Sequence, residues 1–241
     1  NDMTAMTGYE PIKFVSTAAH SGASKGTSDW PLFRTAEVYL NYAEAKAELG
    51  TLTKDDLLIS IDRIRDRAGM KGLDMAAANA NPDPFLLACY PNVTKSENTG
   101  VILEIRRERT IELVMEGLRM WDMFRWKEGA QLVNETNPYY GIYFSGPGLY
   151  DMDGDGRNDL ELYVDKQTSS PADGLTVLRI GSDIILSDMA ENRGYVVAWS
   201  TLKYTWNEER DYLWPIPADQ RVLTGGLLTQ NPGWTDSTDF D

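Results

Sequence analysis

The sequence predicts a mainly α fold of tetratricopeptide-like helical hairpins, an α-α superhelix, carrying an irregular loop and β-hairpin region. Three observations predict it. Apolar residues recur at helical spacing in two neighbouring segments between residues 36 and 68. A long stretch over residues 104–126, "EIRRERTIELVMEGLRMWDMFRW", runs large apolar side chains between its charges. Beyond residue 130 the chain becomes rich in Gly, Tyr and β-branched residues, the composition of hairpins and long loops.

Residues 1–29 read as a loop, since Gly, Ser, Thr and Ala crowd "STAAHSGASKGTSD". From Trp30-Pro31 onward the pattern is helical. Ala36, Leu40, Ala43 and Ala47 form one apolar stripe at spacings of a 3.6-residue helix, widened by Leu32, Phe33 and Tyr39. The alanines allow a neighbouring helix to approach closely, and Gly50 is a natural stop. Thr53 then N-caps a second helix, with Asp56 three residues on as a short capping box. Leu57, Ile61, Ile64 and Ala68 are its buried stripe; Asp55 and Asp56 suit its positive end, Arg63, Arg65 and Arg67 its negative end. Gly69 ends it. Residues 70–100 read as a connector, because "AAANANPDPF" carries two prolines and "PNVTKSENTG" is turn-like.

The charged segment is expected to be helical from about residue 97 to residue 125, with a break near Gly117. Glu108, Glu112 and Glu116 recur every four residues and share a face; Arg109, Arg119 and Arg125 interleave with them, and Asp122 extends the acidic row. One reading is catalytic. Glycoside hydrolysis, however, needs two carboxylates on opposite sides of a scissile bond, about 5–10 Å apart. Carboxylates one turn apart on a single helix point the same way. The other reading is an ion-pair brace, with arginine forks holding carboxylates of adjacent helices. Its natural partners are the arginines of "RIRDR" and the acids of "RTAEVYLNYAEA".

Composition excludes several function classes. The formal charge of −14 argues against a nucleic-acid partner, which needs basic surface. A single cysteine, Cys89, forbids an internal disulfide, and with one histidine, His20, there is no multi-His or zinc-finger site. Cys89 reads as a structural thiol and His20 as a loop residue. No run of 18 apolar residues is present, so no helical membrane span is expected. The opening "NDMTAMTGYEPIKF" has neither an initiating Met nor a signal peptide and reads as part of something longer.

Four of these stretches together resemble the SusD/RagB family: "RTAEVYLNYAEAKAELG", "IDRIRDRAG", "ILEIRRERTIELVMEGLRMWDMFRW" and "YLWPIPADQRVLTGGLLTQNPGW". They occur in the family's order and cover most of residues 30–126 and 211–234. The resemblance implies a SusD-like domain seen as its C-terminal portion, with a helical core over 30–126, a variable region over 130–210 and a closing segment over 211–241. It implies a non-catalytic outer-membrane lipoprotein at the cell surface, held by a lipid anchor that this sequence does not contain. Such a protein binds oligosaccharide, or in some relatives peptide, and passes it to a SusC-like TonB-dependent transporter. The alternatives are a glycan-active hydrolase and a helical-repeat scaffold that binds protein only. No glycan-contacting residue transfers from the four motifs.

One stretch carries chemistry of its own. In "DMDGDGRNDLEL", Asp151, Asp153 and Asp155 stand at positions 1, 3 and 5, Gly156 at 6 and Asp159 at 9 of an oxygen-rich calcium loop. The backbone carbonyl of Arg157 would serve at position 7. Position 12 is Leu162 instead of the usual Glu, with Glu161 one place early, and the flanks read as strand. The expectation is a structural Ca2+ that pins a long loop; the alternative is a solvated acidic turn. Sugar C–H faces stack on aromatic rings, so Tyr139, Tyr140, Tyr143 and Phe144 are one candidate ligand face. Trp199, Tyr204 and Trp206 form a second cluster that reads as a strand face. Core packing competes with ligand contact for both. Trp121, Trp126, Trp214 and Trp234 lie in the shared motifs and are expected to be structural.

Overall fold

A computed structural model describes residues 31–133, 139–170, 174–199 and 203–235, together with 7–9, 13, 14, 17, 20, 26, 29 and 201. Most of the loop expected over residues 1–29, and Trp30, lie outside the described residues. The chain divides into two units, one of residues 1–12 and 134–204, the other of residues 13–133 and 205–241.

The second unit is helical. Helix α1 (Thr35–Glu48) buries Ala36, Leu40, Ala43 and Ala47, the expected stripe. Arg34 before it is extended, with φ −130° and ψ 145°. Leu32 and Phe33 therefore precede the helix and are exposed, against the expectation that they widen its buried face. Tyr39 packs at the edge of the core. The second helix starts on the anticipated capping box: Thr53 Oγ1 accepts from the Asp56 amide (3.2 Å) and Asp56 Oδ2 accepts from the Thr53 amide (2.9 Å). It is two helices, α2 (Lys54–Ile59) and α3 (Ile61–Arg67). Ser60 breaks it, at φ −124° and ψ −101°. Its hydroxyl donates to Asp56 O (2.5 Å), the carbonyl that its own amide would take in an unbroken helix. Ala68 follows the end of α3 and is exposed.

The supposed connector holds two short helices, α4 (Met75–Ala80) and α5 (Pro84–Cys89). Asp74 caps the first through the Ala77 amide, and Asp83 caps the second through those of Phe85 and Leu86. Pro84 is tolerated because it occupies the first turn, where its missing N–H costs nothing. Cys89, at the end of α5, is a half-buried free thiol at the edge of the core, and burial pushes it up from its ordinary pKa. His20 is exposed.

Helix α6 (Thr99–Glu112) carries the first half of the charged segment. Gly100 lets it meet α4, since a Cβ there would overlap the Ala78 carbonyl. The helix ends at Leu113, and Met115 (φ 64°) and Gly117 (φ 76°) reverse the chain before α7 (Arg119–Trp126) and α8 (Gly129–Leu132). Val101, Ile102, Leu103 and Ile105 are fully buried against Leu40, Leu57 and Ile61. Ile111, Val114, Met115, Met120 and Trp121 are exposed, so burial of the segment is confined mainly to its first half. The tail forms a last short helix, α9 (Ala218–Leu223).

Among the described residues the other unit holds two three-stranded sheets. The strands are β1 (Tyr140–Phe144), β2 (Gly148–Tyr150), β3 (Leu160–Tyr163), β4 (Thr176–Arg179), β5 (Leu186–Asp188) and β6 (Arg193–Val197). One sheet has order β1-β6-β5 and is antiparallel; the other has order β2-β3-β4, with β3 and β4 parallel. Phe144, Leu160, Leu162, Ile180, Leu186 and Val196 form their common core. No helix among the described residues is long and apolar enough to cross a membrane.

Candidate functional site

The charged segment resolves into a closed brace. Glu108 pairs with Arg65 (2.6 Å), and Glu112 with Arg34 (2.9 Å) and Arg67 (2.6 Å). Glu116, past the end of α6, pairs with Arg34 (2.6 Å) and Lys13. Arg109 and Asp122, both buried, meet at 2.7 Å. Arg125 grips Asp122 (3.0 Å) and Glu44, whose other donor is Trp126 Nε1 (2.7 Å). Burial pushes the Glu44 carboxyl up, but Arg125 and Trp126 outweigh it and hold the pKa low. Arg119 departs from the pattern: it donates to the Thr110 and Tyr90 hydroxyls rather than to an acid. The three glutamates of the row lie along one side of the segment and are all engaged by cations. That geometry cannot flank a glycosidic bond.

One acid of this unit is different. Glu128 is fully buried; its Oε1 accepts from the Asn92 amide (2.9 Å) and faces Arg106 at 3.5 Å. Its Oε2 and Arg106 Nε are buried without a hydrogen bond among the described residues. Burial pushes the Glu128 carboxyl up to about 7. The folded form therefore holds a proton that the unfolded carboxyl, at 4.5, has lost. Stability contributed by the protonated form is complete below pH 4.5 and is lost as pH rises through 7. Thermal melts at pH 5 and pH 7.5 are expected to show a fall of several degrees that Glu128→Gln flattens; an unchanged slope in the variant refutes the assignment.

The exposed face of the β-rich unit has the opposite character. Tyr140 and Tyr143 of β1 and Tyr195 of β6 are each about half exposed. The register shift between Tyr140 and Tyr143 puts both on the outward face, although strict alternation would separate them. Gly141 between them lets the Thr7 backbone approach β1, since a Cβ there would overlap it. Tyr195 lies opposite Tyr143 in the ladder. Its ring stacks on Tyr140 (centroids 5.5 Å, planes 23° apart) and meets Tyr143 edge-on (5.2 Å, 71°). Tyr139 packs edge-on against Tyr204 (5.3 Å). Phe144 of the same anticipated cluster is core. Tyr195 was not singled out from sequence; its only signal is the alternation of "RGYVV".

The second aromatic group does not exist as a strand face. The left-handed Trp199 (φ 52°) follows the end of β6, and residues 203–207 form no strand. Tyr204 joins Tyr139, whereas Trp206 belongs to the helical unit. There it packs on Phe124 (5.9 Å) and Tyr212 (5.0 Å) and fills the space a side chain at Gly129 would need. Of the four motif tryptophans, Trp126 is buried, and Trp234 donates to Leu213 O (2.8 Å) beneath Arg210. Trp121 and Trp214 touch Phe124 yet are more than half exposed, so the expected structural role describes them only in part.

The acidic stretch is the connection between β2 and β3, so its flanks are strands as read. Carboxylate oxygens of Asp151, Asp153 and Asp159 lie within 4.8 Å of one another, a spacing that suits one hard cation. Asp155 is outside this group; its Oδ1 accepts from the Arg157 amide (2.8 Å). Asp151 accepts from the amides of Gly154 (2.7 Å) and Gly156 (2.8 Å), which curl the loop. Glu161 is turned away into a pocket of its own. There the amides of Thr168 and Ser169 (both 2.6 Å) and the Thr168 hydroxyl (2.7 Å) donate to it. Burial pushes its carboxyl up, but these donors prevail and hold it down at about 2.

A model of the SusD family matches residues 1–234. No match was found among curated proteins. Among solved structures, the chain is similar to the crystal structure of a SusD-like protein from Bacteroides fragilis NCTC 9343. The two share 23% identity with a TM-score of 0.46, over 85% of this chain and 26% of that one. The chain thus spans about a quarter of the length of that protein.

Proposed function

The chain belongs to the SusD family, and from that membership we propose that it is part of a non-catalytic, cell-surface glycan-binding subunit of nutrient uptake. In this reading the intact protein is lipid-anchored at the outer membrane and delivers oligosaccharide, or in the variant case peptide, to a SusC-like TonB-dependent transporter. The hairpin of α1 with α2 and α3 is then one tetratricopeptide-like unit of its helical stack. The supporting observation is the contrast between the two surfaces. Every glutamate of the charged row is tied up in ion pairs, while Tyr140, Tyr143 and Tyr195 stand open and mutually stacked. Flat rings held by their neighbours meet a sugar face at little entropic cost.

Calorimetric titration with a panel of neutral oligosaccharides tests the reading. Saturable binding without release of reducing ends is expected, and Tyr195→Ala is expected to weaken it about tenfold, the equivalent of about 1.4 kcal/mol. Turnover of any panel member, or full affinity in the variant, rejects it.

We further propose that the loop of residues 151–159 takes a structural Ca2+, held by Asp151, Asp153 and Asp159 with the Arg157 carbonyl. Asp155 contributes by shaping the turn instead of by direct coordination. Close carboxylates repel one another, and a divalent cation relieves this. Chelation with EGTA is expected to lower the melting temperature, with recovery on adding Ca2+ but not Mg2+. Asp151→Asn is expected to abolish that response; equal melting curves with and without chelator exclude the ion.

A further inference from the structure

A cavity of about 400 Å³ opens where the start of α1 meets α3, within the size range of small-molecule sites. Ile64, Phe33 and Tyr39 line it together with three arginines, Arg34, Arg63 and Arg67. Phe33, a large apolar ring, is almost wholly exposed. The lining itself holds three guanidinium groups and, among the described residues, no carboxylate. Lys13, Arg34 and Arg67 already share the two carboxylates of Glu112 and Glu116. Arg63 adds a further guanidinium, exposed and without an ion pair or side-chain hydrogen bond among the described residues. In a chain of net charge −14, a concave lining that holds three arginines and no acid is a local inversion of sign. Such a concavity concentrates anions.

We infer that this cavity binds an oxyanion carried on a sugar ring, a carboxylate or sulfate group, with Arg63 as its principal ligand. A guanidinium offers two parallel N–H donors to a planar carboxylate or to two sulfate oxygens. Arg67, which is largely exposed beyond its single bond to Glu112, supplies the second cation. Phe33 and Tyr39 accept the C–H face of the ring that bears the anion. The site lies in the helical unit and shares no residue with the tyrosine face. It draws on the proposed function only for the sugar that carries the charge.

Calorimetry with a uronate trisaccharide, a sulfated disaccharide, a neutral trisaccharide, sodium sulfate and a short acidic peptide tests the assignment. One or both of the anionic saccharides are expected to bind, more weakly as salt is raised; which of them binds identifies the anion. Arg63→Gln is expected to weaken that binding roughly tenfold or more, the loss of a charge-assisted bond, with its melting temperature unchanged. Phe33→Ala is expected to weaken the saccharide but leave sulfate alone unaffected. Tyr195→Ala is expected to change neither, which separates this site from failure of the tyrosine face. Equal affinity for the neutral trisaccharide, binding of the peptide or of sulfate only, no binding at all, or full affinity in Arg63→Gln overturns it.

Discussion

Asp122→Ala destabilises the helical unit by about 3–5 kcal/mol, as expected when one member of a buried ion pair is removed. Arg109 Nε reaches both carboxylate oxygens of Asp122 at 2.7 Å, and both side chains are buried. Without Asp122, the Arg109 guanidinium stays in the interior with the Asn41 side-chain Oδ1 (2.5 Å) as its hydrogen-bond acceptor and, among the described residues, no carboxylate bonded to it. An uncompensated buried charge is the costly state, not the absence of the pair. The double change Arg109→Met with Asp122→Leu is therefore expected to regain most of the loss. Arg67→Ala gives the contrast: it also breaks an ion pair to the brace, but Arg67 is mostly exposed, so the cost is about 0–1 kcal/mol. Urea unfolding measures all three. A loss near that of Arg67→Ala in the Asp122 variant shows that the brace is not buried as described.

The next largest effect belongs to Trp126→Ala, expected to cost about 3–5 kcal/mol. The indole packs edge-on against Tyr90 at 5.6 Å and lies under the guanidinium groups of Arg106 (4.6 Å) and Arg125 (4.7 Å). Its Nε1 donates to Glu44. Alanine removes volume, three cation–π contacts (from Arg106, Arg119 and Arg125) and that donor together. Trp126→Phe keeps most of the ring and removes the donor, so it isolates the hydrogen bond at about 1–2 kcal/mol. Denaturant midpoints for the pair separate packing from polarity. Equal losses in the two variants contradict the packing account.

The long-range parts of this structure were the least legible in the sequence. The α1 stripe and the Thr53–Asp56 capping box are local patterns, and both were readable. The closure of the charged row could be anticipated because acids between large apolar residues must be paired when buried. The partner of Arg119 could not, since two hydroxyls satisfied it instead of a carboxylate. Helices α4 and α5 were hidden by Pro84, which reads as a breaker until its place just after Asp83 makes it a first-turn residue. The tyrosine face was half legible. Tyr140 and Tyr143 were candidates, but only the bulge puts them on one side, and only the β1–β6 pairing brings Tyr195 to them from 52 residues away. The acidic loop was legible as a motif; the diversion of Glu161 into the Thr168–Ser169 amides was not, because it depends on how the chain folds back after β3.

Cys89 closes α5 as the sole sulfhydryl of the chain, half-covered and with its acidity suppressed by burial. A thiol in that condition presents little thiolate at neutral pH and is slow toward alkylating reagents until its surroundings open. It is therefore a built-in reporter of breathing in the short-helix corner, read without introducing a label site. The β-rich unit, lacking any cysteine, stays silent in the same measurement.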